Sequence, residues 1–368
     1  MSDGPQRALA RPKRRRWRVA LMLALCALSF AAAAQYDDPS AREWDARTGD
    51  EAIDSLEVVR RAYLWRLADR LGRNGGPREF ALAAHVRAMA GVRDLRIVGG
   101  LRLIDVKTQR WLNDAERLGS DDPVVQLLLL NRFSASDPID RRRDAVRRWR
   151  EIDSDNLAPL LVGGADLDAL PIDETLAFAS SALRADFYFD DIVRPLVQAV
   201  SEEPPPASLL ATVAVRDPSV PEAFGAEIGA AIWSASAAFA YAPLTRACRG
   251  DALDAAPRRR AQCRHVAMLL ADRADTVAAR GVGAALRLRT YADENELRQA
   301  AIAYRRHYWR LQQRASLAQR NPVDEARTFA RMLLDDRDIT EAELAERMVI
   351  DAGLPLEPPP GWTAPQRY

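Results

Sequence analysis

The chain has 368 residues, 48% of them apolar, with 53 basic and 52 acidic side chains and a net charge of +1. That length and apolar share are enough for a large buried core, and long disordered tracts are not indicated apart from the last dozen residues. Residues 1–34 hold seven basic residues against one acid, Asp3, so without them the charge falls to −5. That balance excludes a generic binder of nucleic acid or anionic membrane.

The chain begins MSDGPQRALARPKRRRWR, a basic stretch, and continues VALMLALCALSFAAAA, an apolar run that ends in small residues. This order is that of a secretory signal peptide, with the cut expected between Ala34 and Gln35. The apolar run, Val19 to Ala34, falls short of the roughly 20 residues that a spanning helix needs. We therefore expect a periplasmic or secreted bacterial protein with no membrane span after signal removal; an uncleaved anchor is the alternative. Beyond residue 34, Lys107 is the only lysine and every other basic side chain is arginine.

Helix signals then follow in order. Thr48-x-x-Glu51 has the capping-box pattern and opens a stretch in which Ile53, Leu56, Val59, Tyr63, Leu67 and Leu71 recur every three or four residues. Gly75-Gly76-Pro77 starts a second helix that stops at Gly91. LRIVGGLRLIDV (95–106) reads as helix or loop, or as a β-hairpin turning on Gly99-Gly100. Asp122-Pro123, Asp137-Pro138 and Asn321-Pro322 each pair a capping residue with proline at a helix start. EEPPP (202–206) cannot continue a helix and marks a boundary between regions 35–201 and 207–353. Long helices are expected from Pro221 to Ala247 and from Asn295 to Arg320, and a second capping box at Thr340-x-x-Glu343. Residues 354–368 form a proline-rich tail, a packed arm or a docking peptide. In all, roughly fourteen to sixteen helices are expected from these boundary signals.

Ser120-Asp121-Asp122 and Ser154-Asp155-Asn156 recur at an offset of 34 residues. SDNLAPLLVGG (154–164) resembles the start of a tetratricopeptide repeat, with Gly164 at the usual small position and Leu160 at the aromatic one. Leu176 and Leu183 stand where alanines belong, and the resemblance covers only about 120–190. It implies an all-α fold of antiparallel helix pairs packed as an irregular α-solenoid.

Chemistry-bearing residues are few. Cys26 falls inside the signal, leaving Cys248 and Cys263 as an even pair in an oxidising compartment, which predicts a disulfide. With His265 they supply at most three zinc ligands where four are needed, so no metal site is expected. The three histidines, His85, His265 and His307, stand in no catalytic pattern, and no phosphate loop or nucleophile elbow is present. GADLDALPIDE (164–174) lacks the central glycine of a calcium loop. The acid pairs Asp121-Asp122, Asp190-Asp191 and Asp335-Asp336 are candidate acid/base groups, two of them explained by capping.

ELRQAAIAYRRHYWRLQQR (296–314) is the most suggestive stretch. Arg298, Arg305, Arg306, Arg310 and Arg314 interleave with Tyr304, Tyr308 and Trp309, a pattern able to grip an anion or an acidic partner. Ala301, Tyr304, Tyr308 and Leu311 also share one helical stripe, so the same residues read as a core face with solvated arginines opposite. The reading as a whole is an exported, non-catalytic helical-repeat protein without cofactor that binds a protein or peptide partner. The alternatives are an envelope enzyme whose carboxylates the fold assembles, and a purely structural envelope protein.

Overall fold

The computed structural model describes residues 46–91, 105–130, 139–162, 170–210, 221–236, 239, 241–254, 256–320 and 322–364, with side chains from residue 55 onward except those of residues 257, 322 and 323. The signal segment 1–34 with Cys26, most of the hairpin candidate (95–104), Asp137-Pro138, Asn321 and the stretch 163–169 lie outside the described residues.

Among the described residues the chain is all-helical. The elements run α1 (Ala46–Arg73), α2 (Pro77–Ala90), α3 (Val106–Leu118), α4 (Pro123–Leu128) and α5 (Ile139–Ile152). A 3-10 turn (Ala158–Leu160) precedes α6 (Ile172–Ala179), α7 (Phe189–Glu202) and α8 (Ala207–Leu210). The second half comprises α9 (Pro221–Ser236), α10 (Tyr241–Ala247), α11 (Asp251–Asp254), α12 (Pro257–Arg273), α13 (Val277–Thr290), α14 (Glu294–Arg320), α15 (Pro322–Asp335) and α16 (Glu341–Asp351).

Several boundaries follow their local chemistry. Asp122 caps α4, its carboxylate accepting from the backbone N–H groups of Val124 and Val125. Thr340 and Glu343 form a complete capping box at α16, whose Leu344 and Met348 are buried. α2 starts after Gly76 and ends at Gly91, as expected. α1 already runs from Ala46, so Thr48 lies within it rather than at its start.

Two expectations need correction. The helix expected from Pro221 to Ala247 is two helices, α9 and α10. Between them Phe239 pairs by a backbone bridge with Val162, and its ring packs edge-on against Phe187 with centroids 4.5 Å apart. Seating that aromatic ring ends the helix. The segment 154–160, likened to the start of a repeat unit, holds turns, a backbone bridge from Asn156 to Arg184 and the 3-10 turn. Asn156 there bonds instead to the backbone of Asp186 and Ala158, which holds the segment as a buried connector.

Helices pack in pairs, most extensively α1 with α2, α7 with α9, and α12 with α13. Contacts also reach beyond sequence neighbours. α7 touches α1 and α15, and α15 touches α9, pairings that a strict nearest-neighbour stack does not make. One apolar core runs from Tyr63 in α1 to Met348 in α16. It continues past the proline run, where α1 clamps the corner: Tyr63 Oη donates to the Glu203 carbonyl at 2.7 Å, and Arg70 pairs with Glu202.

Glycines set the tightest approaches. A Cβ on Gly225 or Gly229 of α9 would stand 2.8 Å from backbone atoms of α7. On Gly283 of α13 it would stand 2.2 Å from the Ala271 nitrogen of α12. No helix among the described residues is long and apolar enough to cross a membrane.

Candidate functional site

The arginine and aromatic stretch singled out above lies on α14, and the structure divides it between two surroundings. Tyr304 and Tyr308 turn inward, ring centroids 4.6 Å apart, against Ala284, Ala285 and Leu288 of α13. Arg305, Arg306 and Trp309 face the chain's own C-terminal arm, 354–364. Trp309 Nε1 donates to the Pro355 carbonyl at 2.8 Å, and an Arg305 Nη donates to the Trp362 carbonyl at 2.6 Å. Arg306 meets Glu357 at 2.6 Å. Trp362 returns onto the helix after a turn in which Gly361 adopts φ +83°, a conformation open to glycine. Its ring meets Trp309 at 5.4 Å in an edge arrangement, and its Nε1 donates to Gln312 at 3.2 Å. Helix side chains thus grip backbone carbonyls and an aromatic anchor of an irregular, proline-containing segment. Arg298, exposed further back on α14, makes no hydrogen bond or ion pair among the described residues.

Arg310 looks the other way, into a cleft of about 200 Å³ between α12, α13, α14 and α16. The walls carry five guanidinium groups, from Arg280, Arg287, Arg306, Arg310 and Arg314, and two carboxylates, Asp272 and Glu346. Arg310 pairs with Glu346 at 2.8 Å. Arg314, with only 6% of its side chain exposed, pairs with Glu341 at 3.0 Å and lies 3.8 Å from Glu325. Arginines expected to be solvated are therefore wall elements of the arm site and of this cleft.

Cys248 and Cys263 are both fully buried, with sulfurs at disulfide distance, 2.00 Å, and Cα atoms 5.6 Å apart. Cys248 follows α10 rather than one long helix, and Cys263 sits within α12, so the pair ties these helices across α11. Closing a ring of about 15 residues contributes roughly 3 kcal/mol through loop entropy. The arginines before Cys263 find partners: Arg259 holds Asp173 of α6 through two nitrogens, and Arg260 holds Asp254 at 2.7 Å. These ion pairs offset the poor placement of cations in a first helical turn.

The carboxylates gather around 184–191. Asp153, 2% exposed, accepts from Trp149 Nε1 at 2.9 Å, Asn156 Nδ2 at 2.8 Å and Tyr188 Oη at 2.6 Å, and pairs with Arg184. Tyr188 takes φ +58°, unusual for a residue with a side chain, and its hydroxyl anchors that conformation. Asp275 accepts from the Phe187 N–H at 2.8 Å; burial, then the Asp186 carboxylate, push its pKa well above the usual carboxylate range.

Burial pushes Asp190 up to about 8 against the pull of Arg194, with Glu341, Asp191 and Asp186 adding to the rise. Its Oδ1 is closed off from solvent and accepts no hydrogen bond. The unfolded chain ionises this carboxyl at about pH 4, while the folded chain holds its proton to about pH 8, so stability present below about pH 4 is lost as pH rises toward 8. Asp190→Asn removes that loss. Urea unfolding is expected to show a gain of about 2 kcal/mol at about pH 8.5 and little change at about pH 4.5. Equal shifts at both pH values would mean that the folded protein holds Asp190 ionised.

The remaining acid pairs serve the helices. Asp191 meets Arg78 at 2.7 Å, and Asp336 meets Arg347 at 3.0 Å. His85 and His265 each place Nε2 3.0 Å from a backbone oxygen, of Leu128 and Ala182. Lys107 pairs with Asp69 at 2.7 Å and lies over the Trp111 ring. Among the described residues no three His, Cys, Asp or Glu side chains gather to hold a metal ion.

The sequence reading missed Arg280 and Arg287 as cleft residues and Asp153 and Asp275 as buried centres. Only their assembly from several helices sets them apart. No protein-family model, curated protein or solved structure matches this chain.

Proposed function

We propose that the protein is an exported, non-catalytic helical scaffold that binds an extended segment of a protein partner along α14. The supporting observation is the arm itself: an irregular, proline-rich run with Pro355, Pro358 and Pro359 is held by Trp309 and Arg305 through its backbone, by Arg306 through Glu357, and by an aromatic anchor, Trp362. Aromatic side chains that donate to carbonyls of proline-rich segments are a recurrent peptide-binding mode, because such segments lose little entropy on binding. The arm then acts as an intramolecular stand-in, and a partner of similar character displaces it.

The enzyme reading draws on the raised carboxyls of Asp190 and Asp275. Neither borders the arginine-lined cleft or the shallow one beside Asn113 and Arg148, so binding is favoured.

The test uses the full chain with Trp362→Ala, which loosens the arm, and a fluorescent peptide of residues 354–368. Anisotropy is expected to show binding to Trp362→Ala at least about tenfold tighter than to the wild type, and none once Trp309→Ala is added. Absence of peptide binding to Trp362→Ala would refute the reading. So would failure of the same peptide to compete with proteins crosslinked to that variant in envelope extracts.

A further inference from the structure

We infer that the cleft between α12, α13, α14 and α16 is a binding site for a phosphoryl group, with Arg280, Arg287, Arg310 and Arg314 as its donors. This does not rest on the peptide-face reading, since among the described residues its four donors pair with no residue of the arm. The first support is composition. Four helices approach with small residues, Ala271, Ala284, Ala303, Ala342 and Ala345, which leave a hollow, and around it stand the arginines. Like charges repel, and gathering five guanidinium groups around about 200 Å³ costs free energy that an anion would recover.

The second support is that the protein's own acids neutralise the walls incompletely. Asp272 and Glu357, partners of Arg287 and Arg306, stand on the solvent side with 58% and 61% of their side chains exposed. Arg280 has no carboxylate partner among the described residues; its Nε donates to the Ala274 carbonyl at 2.8 Å, which leaves its two Nη groups to a ligand. Arg287 Nε and Arg310 Nε are shut off from solvent without an acceptor.

The third support is the local field. His307 lines the cleft with its Nε2 closed against Gly281 and unpartnered, and its pKa falls to about 4, through burial first and then the Arg280 and Arg310 charges. The positive side chains are thus felt inside the wall.

A phosphoryl group fits better than a single carboxylate. Arg280 is the wall arginine without a carboxylate partner among the described residues, and the other four stand around it with donors left over from their own ion pairs. A phosphomonoester carries about −1.5 to −2 and three acceptor oxygens, suited to planar guanidinium forks. Glu357, at the mouth through Arg306, is a tethered carboxylate that competes for entry.

The test is calorimetric titration of the full chain with pyrophosphate, inorganic phosphate and citrate at low salt. Flotation with phosphatidylcholine vesicles, with and without phosphatidic acid, runs beside it. One pyrophosphate site is expected, weakened at least about tenfold by Arg280→Ala and unchanged by Arg66→Ala, a distant exposed arginine. Glu357→Gln, which leaves the cleft walls intact, is expected to tighten binding about twofold or more. Flotation with phosphatidic acid that pyrophosphate reverses assigns a lipid headgroup as the source; binding of soluble pyrophosphate alone assigns a soluble phosphoryl compound. No heat at about 1 mM pyrophosphate overturns the inference, as does citrate binding as tightly, or full binding by both variants with no change.

Discussion

Gly283→Val is expected to force α12 and α13 apart and to cost more than about 3 kcal/mol, a loss at the high end for single substitutions. The cause is backbone against backbone. A Cβ at 283 meets the Ala271 nitrogen at 2.2 Å and the Leu270 carbonyl carbon at 2.7 Å, atoms of a helix that cannot rotate out of the way as a side chain would. The paired helix carries Cys263, Val266, Ala267 and Leu270, all fully buried, so a shift propagates into the core. Gly283→Ala makes the same first contact with fewer atoms and is expected to lose about 2 kcal/mol. Urea unfolding followed by helical circular dichroism measures both. A valine variant within about 1 kcal/mol of wild type would show that the helices do not approach this closely.

Asp153→Ala is expected to lose about 3 to 5 kcal/mol, because it strips one partner from a buried network and leaves the others unsatisfied. Trp149 Nε1, Asn156 Nδ2 and Tyr188 Oη all donate to this one carboxylate, and Arg184 balances its charge. Tyr188 would also lose the bond that holds its left-handed backbone, so the turn into α7 should loosen. Asp153→Asn keeps an acceptor and removes the charge, and its loss should be smaller. Tyr188→Phe, which deletes one hydroxyl, should cost about 1 kcal/mol. Near-ultraviolet circular dichroism, sensitive to Trp149 and Tyr188, should flatten in the alanine variant; an unchanged spectrum with unchanged stability would contradict the network.

What was legible in the sequence is what depends on close neighbours along the chain. Asp122 and Thr340 reach acceptors or donors within three residues, and the capping patterns identify them. The cysteine pair followed from the expected loss of Cys26 with a signal segment, which leaves Cys248 and Cys263. The fold's centre was not, because its bonds are long-range: Asp153 meets Arg184 across 31 residues and Asp275 meets Phe187 across 88. Nothing in either aspartate's immediate neighbours announces those partners. Phe239 ends a helix for an aromatic cluster assembled from distant segments, so the apolar periodicity around it misleads. The division of the α14 arginines between arm and cleft depends on three other helices, and no single-helix pattern contains it.

Lys107 carries a practical consequence. Beyond residue 34 the chain has no other lysine, and this one sits on α3, paired to Asp69 and stacked over Trp111. Amine-reactive reagents would therefore leave α14, its arm and the cleft untouched, however tightly a ligand sits there. A fluorophore or surface linker attached at Lys107 leaves those faces free of label, whereas covalent capture at them calls for carboxyl- or guanidinium-directed chemistry.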